Sequence, residues 1–139
     1  MKPGKDFIGS GVGAVIMNER AEILLLKRKK APEKGYWSIP GGTVEFGEKL
    51  NTAITREIEE ELGVKVKVLC LLGVTDHIVE AENIHWISPV FLVKIIKGKP
   101  LNKEPHKHAE VKWFALNKLP KKITLTTKYA VKYYLDKQK

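Results

Sequence analysis

The sequence predicts an α/β/α sandwich, a mixed β-sheet clamped between helices, and three observations carry that expectation. Several short apolar runs bounded by turn residues read as strands. One uninterrupted segment, Leu50–Leu62, reads as an acidic helix, and residues 126–137 read as an amphipathic C-terminal helix. Their order is hairpin, loop, acidic helix, strands, helix. At 139 residues this makes one domain, residues 1–139, large enough to bury roughly two thirds of its unfolded surface.

The elements follow in order. Residues 11–17 (GVGAVIM) form a strand, residues 18–20 punctuate it, and Glu22–Arg28 (EILLLKR) forms a second, so the two are expected to pair as a hairpin. Lys27 and Arg28 close that strand. They read either as an exposed strand end or as cations beside a phosphate, and guanidinium geometry makes Arg28 the better phosphate ligand. Residues 29–35 are a polar loop around Pro32. Trp37, expected in the core, and Ile39 lead through Pro40 into Gly41 and Gly42, which let backbone approach a ligand closely. Residues 64–76 give one or two strands, and the acidic stretch 77–83 suits a loop over a site. Residues 85–97 (HWISPVFLVKIIK) are a strong strand pattern in which Pro89 implies an edge or a bulge. Residues 98–108 are polar and read as a mobile loop. Glu104, His106 and His108 lie there, but the HxH spacing lacks a third zinc ligand. Residues 110–115 form a short strand. The final helix turns Ala130, Val131, Tyr134 and Leu135 to the core.

Composition sets limits. Hydrophobic content of 43% and charged content of 29% describe an ordinary globular protein. The single cysteine, Cys70, sits in an apolar run, reads as a buried structural thiol and fits a reducing compartment. No signal segment or membrane span is present, so the cytoplasm is the expected location and no membrane partner is expected. Net charge is +9. Without an arginine-rich run or an aromatic-studded RNA-binding signature, that charge reads as a solvated lysine surface that also steers polyphosphates. Nucleic acid is not the expected partner.

The acidic helix carries the chemistry. At about 100° per residue, Leu50, Ala53, Ile54, Ile58 and Leu62 span one apolar arc, and Glu57 and Glu61 fall near its middle. Glu60 lies at the edge, Glu59 faces solvent, and Arg56 projects off the arc. Two carboxylates thus occupy positions where a core helix buries leucines. Desolvating an unpaired carboxylate costs on the order of several kcal/mol, and like charges one turn apart repel. With no cation on the same face, a hard divalent ion, Mg²⁺ or Mn²⁺, is the economical compensation.

The spacing Gly42, five residues, Glu48, seven residues, Arg56-Glu57-Ile58, one residue, Glu60-Glu61, one residue, Gly63-Val64 resembles a complete Nudix box. The resemblance extends through Gly35–Pro40 before the box and through Trp113-Phe114 and Leu119-Pro120 after it. It implies the same α/β/α sandwich, with Glu57, Glu60 and Glu61 and the Gly41 carbonyl as metal ligands. It further implies that Arg56 orients the glutamates and that Glu48 holds a further metal or caps the loop. Glu57 is the first candidate for general base, with Glu104 from a distal loop as the alternative. Clustered Mg²⁺ (or Mn²⁺) neutralises phosphate oxygens and lowers the pKa of a bound water.

The short chain resembles the MutT-type nucleoside triphosphate pyrophosphohydrolases, which release a nucleoside monophosphate and pyrophosphate. The proline that marks many ADP-ribose pyrophosphatases beyond the box is missing from residues 79–82, and so is the tyrosine of dinucleoside polyphosphate hydrolases. An ADP-ribose or nucleotide-sugar pyrophosphatase is the alternative enzyme. A catalytically silent nucleotide or RNA binder is the third reading, against which every box glutamate is retained. Phe46, His85 and Trp86 are candidates for contacting the base. The partner is therefore a small nucleotide. Nudix proteins are often homodimers, but no interface can be located from the sequence.

Overall fold

β1 (Gly9–Ile16) runs between two cores in the computed structural model, which describes residues 1–138. Successive strand residues point to opposite faces. Val12, Ala14 and Ile16 therefore join one core with Ala53, Ile54, Ile58 and Leu62 of α1 (Leu50–Leu62). Val15 joins the other with Ala130 and Val131 of α2 (Leu125–Lys137). β2 (Glu22–Arg28) divides the same way, with Leu24 and Leu26 in the first core and Ile23 and Leu25 in the second. Each fully buried Leu or Ile contributes about 1.5–3 kcal/mol of transfer free energy. The sandwich expected from the sequence is therefore present, with one helix on each side. Trp37 packs in the second core as expected, edge-on to Phe114 with ring centroids 4.8 Å apart.

The strands form two sheets rather than one. β4 (Gly41–Thr43), β1, β6 (Ile84–Lys97) and β5 (Lys65–Val79) lie in that order, β1 parallel to β6 and the other pairs antiparallel. β3 (Trp37–Ser38), β2 and β7 (His108–Ala115) make a three-stranded antiparallel sheet. The expected hairpin of the first two strands does not form. Both edges of β1 are taken by β4 and β6, leaving one bridge, Met17 to Ile23, between the two segments. An apolar run buried on both faces reports that a strand is interior, not which strand lies beside it.

Further differences have local causes. Pro89 lies on β6, an inner strand and not an edge. The β1–β6 ladder is interrupted there, between Ser10↔Ile87 and Gly13↔Val90. Pro89 has no N–H to offer its β5 partner Val74, whose carbonyl accepts a 2.8 Å hydrogen bond from the Tyr133 hydroxyl. β5 is one 15-residue strand whose register with β6 shifts at irregularities near Val66, Cys70 and Gly73. It runs through His77 to Val79, so the expected loop shrinks to a 3₁₀ turn at Glu80–Glu82, closed by Asn83 in the left-handed region. Leu50 and Leu135, assigned to apolar faces, are exposed at helix ends where the neighbouring elements no longer reach. Cys70 is half-buried and free. No helix among the described residues is long and apolar enough to cross a membrane.

The β6–β7 connection is tied down rather than mobile. Leu101 N–H donates to the Leu62 carbonyl at 2.9 Å and Lys103 N–H to the Glu61 carbonyl at 3.0 Å, satisfying two of the carbonyls that the C-terminus of α1 leaves free. Gly63 ends that helix at φ 70°, ψ 22°, in the left-handed region that glycine adopts freely.

At the start of α2, Thr124 caps the helix and shares a 2.7 Å hydrogen bond with the fully buried Thr127. Ile39 N–H donates to Thr127 Oγ1 at 2.9 Å, fixing the segment that enters Gly41 and Gly42. Thr127→Val keeps the volume but strands a buried N–H. Urea denaturation should show a loss of about 1–3 kcal/mol. A loss below about 0.5 kcal/mol, within the range of neutral surface changes, would mean that Ile39 finds another acceptor.

Candidate active site

The floor of the site is backbone. Gly41–Thr43 pairs with β1 through Gly13↔Gly41, Val12↔Gly42 and Gly11↔Thr43. A Cβ on Gly41 would stand 2.1 Å from the Val12 carbonyl oxygen, and one on Gly42 would stand 2.2 Å from Cδ of Glu57. Only glycines allow α1 to press its carboxylates onto this strand. Gly41 N–H donates to Glu61 Oε1 at 2.8 Å. Gly42→Ala should dislodge Glu57, and displacements of this order cost about 10²-fold in turnover. Steady-state kinetics with Mg²⁺ would measure it, and unchanged kcat would mean that Glu57 need not rest on the strand.

Arg56 corrects the helical-wheel expectation. Its Cβ leaves the apolar arc, but the long side chain curls back to the carboxylates. Nε and Nη2 bind both oxygens of Glu48 at 2.7 and 2.9 Å, Nη1 reaches Glu57 at 2.9 Å and Glu60 at 3.3 Å, and Nη2 reaches the Thr43 carbonyl at 3.0 Å. The bidentate pair holds the Glu48 carboxyl down at about 2. Glu57 shifts the other way. Burial pushes its carboxyl up more than Arg56 pulls it down, and the charge of Glu60 adds to the rise. Glu61 is 5% exposed, and burial drives its carboxyl well up, against the Gly41 hydrogen bond and with help from the charges of Glu57 and Glu104. Arg56 thus compensates Glu48 and Glu57 and leaves Glu61 without a contacting Lys or Arg among the described residues.

These groups open into a cleft of about 440 Å³ between the two sheets. Of the residues singled out from sequence, Gly41, Glu57, Glu61, Arg28 and Trp86 line it, together with the alternative base Glu104. Arg56 and Glu48 stand behind Glu57 rather than on the wall. Glu60, its side chain 51% exposed, lies outside the lining, as do Lys27, His85 and the fully exposed Phe46. Arg28 Nε donates to the Pro32 carbonyl at 2.7 Å, and the guanidinium lies in the field of Glu33, Glu61 and Glu82.

Sequence reasoning missed two parts of the wall. One is the Glu33–His77 pair, 2.8 Å apart, which links the β2–β3 loop to β5. Glu33 also accepts from Leu125 N–H at the start of α2 at 2.9 Å, and its own N–H donates to Glu82 at 3.1 Å. Burial pushes the Glu33 carboxyl up, but the His77 and Leu125 hydrogen bonds outweigh it and hold the group below its usual range. The other is His108, which the sequence placed in a loop and dismissed as a ligand for want of a partner. Ligand atoms of Glu61, Glu104 and His108 all lie within 4.8 Å of one another. Burial lowers the imidazole to about 4 despite the opposing charge of Glu104. His108 is therefore neutral at neutral pH, and its 3.6 Å approach to Glu61 is not an ion pair. Hard oxygens on α1, a buried uncompensated carboxylate and a neutral imidazole together fit a divalent metal.

A sequence profile of the NUDIX domain matches residues 8–134. An ADP-ribose pyrophosphatase of Methanocaldococcus jannaschii is 43% identical over 106 residues, covering 76% of this chain and 62% of that protein. An 8-oxo-dGDP phosphatase of Mus musculus is 35% identical over 85 residues, 61% of this chain and 25% of that protein. The chain thus spans less than two thirds of either curated relative. A solved MutT NUDIX hydrolase from Burkholderia pseudomallei superposes with a TM-score of 0.87 at 43% identity, covering 92% of this chain and 98% of that one.

Proposed function

The chain belongs to the NUDIX domain family, and from that premise we propose that it is a metal-dependent hydrolase of the phosphoric anhydride bond in a nucleoside-diphosphate-linked substrate. A nucleoside triphosphate, cleaved to monophosphate and pyrophosphate, is the first reading. The observation that carries the proposal is the pair of carboxylates, Glu57 and Glu61, pressed onto Gly41 and Gly42 at the floor of an open cleft.

Glu57, Glu61 and the Gly41 carbonyl, which line the cleft, would hold the metal, while Glu60, which the box also implies, stands outside the lining against Arg56. When bound, Mg²⁺ or Mn²⁺ neutralises phosphate oxygens and acidifies a water. The chain's own residues do the rest. Arg56 fixes the rotamer of Glu57, the first candidate for general base. Arg28, on the cleft wall, supplies a permanent positive charge to a substrate phosphate. Trp86 supplies the aromatic surface of the lining, half-buried and packed on Gly4 and Gly9, and is the residue we assign to the base.

ADP-ribose is the second reading, favoured by the name of the M. jannaschii relative. A panel of nucleoside triphosphates (8-oxo forms included), ADP-ribose and nucleotide sugars, with products separated by chromatography, tests both. Monophosphate plus pyrophosphate from one triphosphate supports the first reading. AMP plus ribose phosphate from ADP-ribose alone moves the assignment to the second. No turnover of any substrate with either ion overturns the hydrolase proposal.

A further inference from the structure

We propose that His77, turned by Glu33, reads the nucleobase: its Nδ1 accepts a hydrogen bond from the amino group of a base stacked on Trp86. This rests on the hydrolase reading and deepens it by naming the base class, an amino-bearing base over its counterpart without the amino group.

The tautomer of His77 follows from its partner. Glu33 Oε1 stands 2.8 Å from His77 Nε2, and hydrogen bonds hold the Glu33 carboxyl below its usual range. The carboxylate is therefore ionised at neutral pH and can only accept, so Nε2 carries the proton. In the neutral ring Nδ1 is then an acceptor, and it has no hydrogen-bond partner among the described residues. The other Glu33 oxygen accepts from Leu125 N–H at 2.9 Å, which keeps the carboxylate from turning away. Glu33 holds this pose against its backbone preference. It sits at φ 57°, in the left-handed region where a residue with a Cβ is strained. Its N–H donates to Glu82 at 3.1 Å, and its carbonyl accepts from Tyr36 N–H at 3.1 Å. A turn alone would favour glycine or asparagine there. Glutamate marks a use for the carboxylate, and Glu33 is thus a positioning residue that acts through His77.

Trp86 stands beside His77. The two are partners across β5 and β6, so their side chains share one face, and both line the cleft. A Cβ on Gly9 would stand 2.5 Å from the Trp86 ring and one on Gly4 would stand 2.1 Å from it, so the indole lies against bare backbone. A base stacked on this ring turns its rim toward His77, and exocyclic groups project furthest from that rim. Stacking alone accepts any base, since every base has a π-face. Selection falls to the hydrogen bond. An amino group donates to Nδ1, whereas a keto oxygen or a bare ring carbon leaves the acceptor unpaired.

The test measures binding of α,β-methylene nucleoside triphosphates by calorimetry with Mg²⁺ at about pH 8.5, well above the ordinary imidazole value. The pairs are adenine against hypoxanthine, cytosine against uracil, and guanine against hypoxanthine. In at least one pair the wild type should bind the amino-bearing member about tenfold tighter or more. Glu33→Gln must offer its amide oxygen to Leu125 N–H and therefore its NH₂ to His77 Nε2. The ring proton then moves to Nδ1, and the preference should turn toward the member without the amino group. A merely structural loss would weaken all analogues alike and leave the ratio unchanged. His77→Ala, checked for folding by circular dichroism, should erase the preference. If it fails to fold, Glu33→Gln decides. Equal affinity in every pair, the opposite preference in the wild type, or a wild-type ratio in Glu33→Gln overturns the proposal. So does a wild type that binds none of the analogues. A failure of the hydrolase reading appears separately, in the substrate panel, because the methylene bridge makes binding readable without turnover.

Discussion

Glu61→Gln should abolish turnover and, in the same protein, raise the stability of the metal-free fold. The amide keeps the shape of the carboxylate and still accepts from Gly41 N–H, so the floor of the cleft stays built. It removes the negative charge that a divalent ion needs. Losing metal-centred charge stabilisation worth about 4 kcal/mol corresponds to about 10³-fold in kcat. The stability change has the opposite sign because the native carboxylate is 5% exposed, and burial penalises its charged form. Linkage fixes the pH window. Folding raises the Glu61 pKa, so the folded state holds the proton more tightly than the unfolded one. Metal-free wild type then loses stability as pH rises from the ordinary carboxylate range through the raised value. Glu61→Gln should lack that slope. Thermal melts in chelator across pH, beside kinetics with Mg²⁺, check both halves. A variant that is inactive and also less stable at neutral pH would show that the charge of Glu61 is structurally compensated after all.

Arg56→Ala should give the second largest effect, and here activity and stability fall together. One guanidinium ties Glu48, Glu57, Glu60 and the Thr43 carbonyl, joining the β4–α1 loop to the helix. Without it Glu57 loses its fixed rotamer, and turnover should drop about 10²-fold. Stability should fall by about 1–2 kcal/mol, the scale of hydrogen bonds to charged groups lowered by partial exposure. The sign with pH follows from Glu48, whose carboxyl lies at about 2 in the folded protein against an ordinary 4.5. Its contribution is fully present above the ordinary value and disappears as pH falls through the folded one. The stability gap between wild type and variant should therefore narrow on acidification. Arg56→Lys should restore part of the stability but not the turnover, because an ammonium lacks the planar fork. A gap that stays constant down to pH 2 would detach Glu48 from the effect.

Much of this was legible in the chain because it is local. Periodicity and Gly63 delimit α1, and the same wheel put Glu57 and Glu61 among its buried positions, where Glu61 lies and Glu57 is mostly covered. The boundaries of β2 were legible for the same reason. What escaped is non-local. One of the two partners of β1, β6, is a strand more than 60 residues away in sequence, chosen by packing that an apolar run does not encode. The wheel gives the direction of a Cβ, not the reach of a guanidinium, so Arg56 seemed remote from carboxylates it binds. His108 lacked a third ligand only while residues 98–108 were considered alone. The missing carboxylate, Glu61, comes from α1, to which backbone hydrogen bonds from Leu101 and Lys103 tie the loop.

The double glycine has a consequence for how this protein can change. Positions 41 and 42 have no room for any side chain, since one faces a carbonyl and the other a carboxylate at about 2 Å. Any side chain placed there must displace one of these groups. The β2–β3 loop, which carries Glu33, and the β6–β7 loop, which carries Glu104, hang from strand ends, where substitutions leave both cores untouched. The two glycine positions are thus fixed by packing, while the two loops can accept substitutions without disturbing either core.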